Sequence, residues 1–127
     1  MKILALISRI LLGLIFVVFG LNGFLQFIPV KELPGGLAGQ FITVLAQSHY
    51  ALVVSAVQVI GGALLLLNRY VPLALAILGP VIFNILCFHI LILFTGIYVA
   101  IFVTILWFVL FIRHFQYFSG LFTQKTA

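Results

Sequence analysis

Four side chains, Asn22, Gln58, Asn84 and His89, carry most of the chemistry this sequence offers, and each stands within a long apolar run. Amides and a neutral imidazole donate and accept hydrogen bonds, so the set suits a ligand with carbonyl or hydroxyl groups. The imidazole can also relay a proton. Carboxylate chemistry is excluded, because Glu32 is the only carboxylate side chain. Paired-carboxylate hydrolysis, carboxylate-rich metal sites and carboxylate proton relays all need more. Cys87 stands alone, which removes both an intramolecular disulfide and a C-x-x-C pair for thiol exchange. His49, His89 and His114 lack metal-ligand spacing, and no haem or iron–sulfur ligation pattern is present.

The elements that must position these residues are apolar helices. Of 127 residues, 66% are hydrophobic and 6% are charged, whereas a soluble domain carries about a quarter charged residues. The solvent of this chain is therefore expected to be lipid. An all-α, transmembrane four-helix bundle follows, with spans at about residues 3–28, 50–67, 71–93 and 98–112, each near the roughly 20 residues that cross a bilayer core. Lys2 before an apolar run resembles a signal peptide. However, Arg9 interrupts that run, which continues to Ile28 without an A-x-A site, so a retained first helix is expected. The loop from Pro29 to His49 opens on turn-forming "PVKELPGG" and continues as "LAGQFITVLAQS". This second stretch puts Leu37, Phe41, Val44 and Leu45 on one face, as in a short helix lying in the outer interface. The tail after Arg113 is rich in Phe and Tyr and suits an aromatic belt at the inner headgroups.

With four spans, Lys2, Arg9, Arg69, Arg113 and Lys125 fall on one side, and only Lys31, beside Glu32, falls on the other. That asymmetry places both termini in the cytoplasm and the protein in the inner membrane. Arg9, Arg69 and Arg113 are thus interfacial charges, and the net charge of +5 marks topology and headgroup contacts, not nucleic-acid binding. Counting about 1.5 Å per residue from the cytoplasmic ends sets Asn22, Gln58 and Asn84 at comparable heights. His89 and Gln26 stand further out, towards His49.

The polar layer admits three readings: mutual hydrogen bonds that hold the helices together, an outward-opening pocket for a small ligand, or a metal site. Five positions separate Asn84 from His89, about 140° around a helix, so the two are not expected to face one narrow site squarely. Gly13 and Gly20 share the Arg9 face of the first helix, and Gly61 and Gly62 are their natural partners. Arg9 itself is expected to snorkel to the headgroups. Gly79-Pro80 reads as a kink that frees the carbonyl of residue 76.

In one-letter code, the stretches "RILLGLIFVVFGLNGF" and "QVIGGALLLLNRYVPLALAILGPVIFNILCFH" resemble the DoxX-like family of small four-helix membrane proteins. The resemblance runs from about Arg9 to His114. Its most specific parts are Gly61-Gly62 before Leu64 to Leu67, the turn with Arg69 and Pro72, and the Pro80, Asn84, His89 series. The family is similar to a membrane subunit of an archaeal thiosulfate:quinone oxidoreductase, and some bacterial members are implicated in oxidative-stress complexes. The resemblance implies that Arg9, Asn22, Gln58, Arg69, Asn84 and His89 hold recurrent polar positions without an agreed catalytic role. Relatives often carry an acidic residue at the place of Gln58 and a Lys near Gly23. Their replacement here weakens a proton-coupled redox role.

The leading expectation is a membrane subunit associated with a redox complex and binding a quinone, not a stand-alone enzyme. Its electrons would come from a membrane-protein partner. The alternatives are a non-enzymatic scaffold or assembly factor, docking other helices or a second copy, and a small-molecule or lipid-binding carrier. Four helices without an inverted repeat are few for alternating access.

Overall fold

The computed structural model describes residues 2–27 and 33–126. Among them are five α-helices and no strand: α1 (Lys2–Leu25), α2 (Gly36–Gln47), α3 (Tyr50–Leu67), α4 (Val71–Leu91) and α5 (Ile97–Arg113). Two 3-10 turns, Phe115–Tyr117 and Ser119–Phe122, follow. α1, α3 and α4 are long and apolar enough to cross a membrane. α5, the fourth expected span, is an apolar helix of 17 residues, about 25 Å long at the α-helical rise.

The helix ends have local causes. Asn68 takes a left-handed conformation (φ 54°); its N–H donates to Leu65 O and that of Arg69 to Leu64 O, closing α3 with a Schellman turn. Pro72 then sits in the first turn of α4, where no N–H is required. α4 stops at Leu91, two residues earlier than expected: the Leu93 N–H reaches five residues back to Phe88 O, an acceptor already taken by the helical bond from Ile92. α1 ends at Leu25, and Gln26 follows with φ 52°. The first helix was expected to run to Ile28; Gln26 and Phe27 are not helical, because the left-handed turn at Gln26 ends it, while Ile28, Lys31 and Glu32 lie outside the described residues.

α1 packs on α3 and α5, and α4 packs on α3 and α5, so the four longer helices form a closed ring. Glycines set the register. A Cβ on Gly62 would lie 2.8 Å from Gly13 O, and one on Gly20 would lie 2.9 Å from Ser55 O. Rising numbers on α1 therefore meet falling numbers on α3, and the pair is antiparallel. Gly61 was expected to join Gly62 against α1. Instead its Cβ position lies 2.6 Å from Leu78 Cγ of α4. Neighbouring positions on a helix point about 100° apart, so the Gly-Gly pair serves two different partners. Between α4 and α5, Gly79 gives room to Trp107, whose indole N–H donates to Leu75 O at 2.9 Å.

Leu12, Leu65, Leu75, Leu78 and Leu110 fill the ring and are fully buried. The outer faces carry Leu11, Phe19, Ile60, Phe83, Ile90 and Ile105, all exposed. An apolar exterior of this extent matches acyl chains rather than water.

Two peripheral segments depart from expectation. α2 does form, but the residue it buries is Ala38, while Leu37 and Val44 of the expected apolar face are exposed. The tail does not lie wholly as a surface belt. Its 3-10 turns fold Phe118 into the core, 5.0 Å from the Phe111 ring, which itself stacks on Trp107.

Candidate ligand-binding cleft

α2, α3 and α4 enclose a cleft of about 760 Å³, within the range of small-molecule sites. The close Gly61–Leu78 contact marks where α3 and α4 touch. One turn away, Gln58 and Val54 of α3 line the cleft opposite Val81, Asn84 and Ile85 of α4. α2 contributes Phe41, Ile42 and Leu45. Phe41 meets Phe88 with ring centroids 5.4 Å apart, so an aromatic pair bridges α2 to α4 beside the cleft.

The candidate polar residues separate into two groups. Gln58, Asn84 and His89 line the cleft together. Asn22 does not; it is half-buried on α1 and forms an interaction of its own. Asn84 and His89 were not expected to face one narrow site squarely; the cleft is not narrow but extends along α4 as far as Ile92, and so takes in both. Nor do the three amides bond to one another. Asn84 Nδ2 donates to Pro80 O at 2.8 Å, within its own helix. The Gln58 amide makes no hydrogen bond among the described residues.

His89 is held by the end of its helix. Its Nδ1 lies 2.9 Å from Thr95 O and 3.1 Å from Leu93 O. Both are carbonyl oxygens, which only accept, so Nδ1 carries the proton. The turn allows this because Gly96 adopts φ +87° and its missing Cβ would stand 3.1 Å from His89 Cε1. Nε2 has no partner among the described residues. Ser48 and Tyr50 also contribute to the lining. Ser48 Oγ is engaged with local backbone, donating to Leu45 O and accepting from the Tyr50 N–H.

The interfacial cations behave differently from one another. Arg69 and Arg113 are exposed. Arg9 is half-buried, and its Nη1 donates to Leu65 O and Leu66 O in the last turn of α3. It therefore caps a helix C-terminus, where carbonyls and the helix dipole both favour a cation.

Sequence reasoning missed Ser8, whose fully buried Oγ has no partner among the described residues. It also missed Phe41 and Phe88 as parts of the cleft, and Gly96 as the turn residue beside His89. Gly96 follows His89 by seven residues, and only the turn after Leu91 brings them together.

No protein-family model, curated protein or solved structure matches the chain. What the cleft can hold is therefore set by its lining. It offers apolar walls, an aromatic pair on one side, and polar atoms from Gln58, Asn84 and His89. A flat ring bearing oxygen atoms suits those walls and those hydrogen bonds.

Proposed function

We propose that the chain is a transmembrane four-helix bundle of the DoxX-like kind whose cleft binds a small quinone-like amphiphile. In this reading α5 is the fourth span, and its 17 residues are accommodated by local thinning or by flanking residues. The antiparallel order brings Lys2, Arg9, Arg69 and Arg113 to one end of the ring, which faces the cytoplasm of an inner membrane. Lys125→Cys, made with Cys87→Ser, then reacts with an impermeant thiol reagent from the cytoplasmic side only; labelling from outside contradicts that orientation.

The observation that carries the binding reading is the pair of unpartnered polar groups on an otherwise apolar wall. Gln58 and His89 both line the cleft, and neither the Gln58 amide nor His89 Nε2 has a hydrogen-bond partner among the described residues. In a lipid-facing protein such groups are costly, and a ligand with oxygen atoms satisfies them. No complete redox centre is proposed for the chain itself: electrons come from a membrane-protein partner, and this subunit holds the carrier.

The test is a titration of the purified full chain in lipid nanodiscs with a short-chain alkylated benzoquinone. Saturable binding is expected, weakened about tenfold in Gln58→Leu by loss of one or two hydrogen bonds. Binding that does not saturate, with no quinone in lipid extracts of the native protein, contradicts the reading.

A further inference from the structure

We infer that the cleft holds the hydroxyl-bearing, reduced form of its ring ligand in preference to the carbonyl-bearing, oxidised form. The inference rests on the ligand reading above and deepens it by asking which hydrogen-bonding groups the protein has left to offer.

His89 decides the sign. Its Nδ1 proton is committed to Thr95 O and Leu93 O. A neutral imidazole so held has one remaining polar atom, Nε2, and that atom can only accept. The commitment is built into the backbone. Gly96 supplies the positive φ that the turn requires, and leaves space beside Cε1 that a side chain would occupy. Asn84, on the same α4 wall, has one N–H committed to Pro80 O; its second N–H and its Oδ1 both remain, so it favours neither form. Gln58, across the cleft on α3, can present either end of its amide and does not discriminate. No Lys or Arg lines the cleft among the described residues, so no cationic donor favours a carbonyl oxygen there.

A dihydroxy ring donates to Nε2 and keeps its stacking surface for Phe41 and Phe88. A diketone of the same shape leaves Nε2 facing an acceptor. Sites built around one hydrogen bond reject the analogue that lacks it, because the protein group is then stranded. The expected preference is about tenfold or more, and tenfold corresponds to a rise of about 30 mV in the two-electron potential of the bound couple.

The experiment titrates the full chain in nanodiscs. The probes are an alkylated benzohydroquinone, kept anaerobic, and the corresponding benzoquinone. Tighter binding of the hydroquinone by about tenfold supports the inference, as does collapse of the ratio towards one in His89→Phe, which keeps a ring but removes the acceptor. Because that variant also loses a turn contact, nitrogen-15 NMR of His89 in the unmodified protein is the second measurement. A protonated Nδ1 and bare Nε2 are expected, and the opposite tautomer overturns the inference. Equal affinities, or tighter quinone binding, overturn it while leaving the cleft as a ligand site. Binding of neither probe removes both.

Discussion

Arg9 shows how one side chain in a lipid-facing helix is settled by backbone rather than by another charge. The described residues include no carboxylate side chain, so its available acceptors are carbonyls, and the last turn of α3 supplies two. Arg9→Leu is expected to cost about 1–3 kcal/mol, the worth of a charge-assisted hydrogen bond at a helix end. Steric-trap unfolding in bicelles measures this. Unaltered stability would mean that the guanidinium spends its time among headgroups. The Arg9 contact was not legible from spacing, because it depends on α1 and α3 running antiparallel at one register. The polar character of Gln58, Asn84 and His89 was legible. Their separate hydrogen-bonding fates were not: an amide's choice between its own helix and a neighbour is decided by distances of a few tenths of an ångström.

At the level of the helices, apolar runs bounded by Asn, Pro and Gly carried most of the information. α3 occupies residues Tyr50–Leu67 as expected, because Asn68 tolerates the left-handed turn that stops it. What the runs do not encode is which neighbour each face meets. Gly61 and Gly62 read alike in sequence, yet one receives Leu78 and the other Gly13. Gly62→Ala is expected to destabilise by about 1–3 kcal/mol, since its Cβ would press on backbone that cannot rotate away. Gly35→Ala, with nothing within 4 Å of the new Cβ, is the matched control. Thermal unfolding in detergent distinguishes them; equal effects would contradict the tight α1–α3 contact. α2 was legible as a helix but not in its facing, because its apolar stripe meets lipid as readily as protein.

For the molecule as a whole, the charge asymmetry and the apolar runs were enough to expect antiparallel helices with cations gathered at one end. The ring that α1, α3, α4 and α5 close adds the pairing of the helices, and α2 adds one wall of the cleft, where the sequence offered a polar pocket without its aromatic side. The tail shows the same division. Its aromatic content was plain, but the inward turn of Phe118 depends on the space beside Phe111. The proposed occupant of the cleft between α2, α3 and α4 is a ring-bearing amphiphile. Photolabelling the full chain in nanodiscs with an azido-benzoquinone, followed by peptide mass spectrometry, addresses it directly. Adducts are expected on α2, on α3 around Gln58 and on α4 from Pro80 to Ile92, and excess unlabelled quinone should suppress them. Adducts spread over the outer faces of α1 and α5, undiminished by competitor, would contradict it.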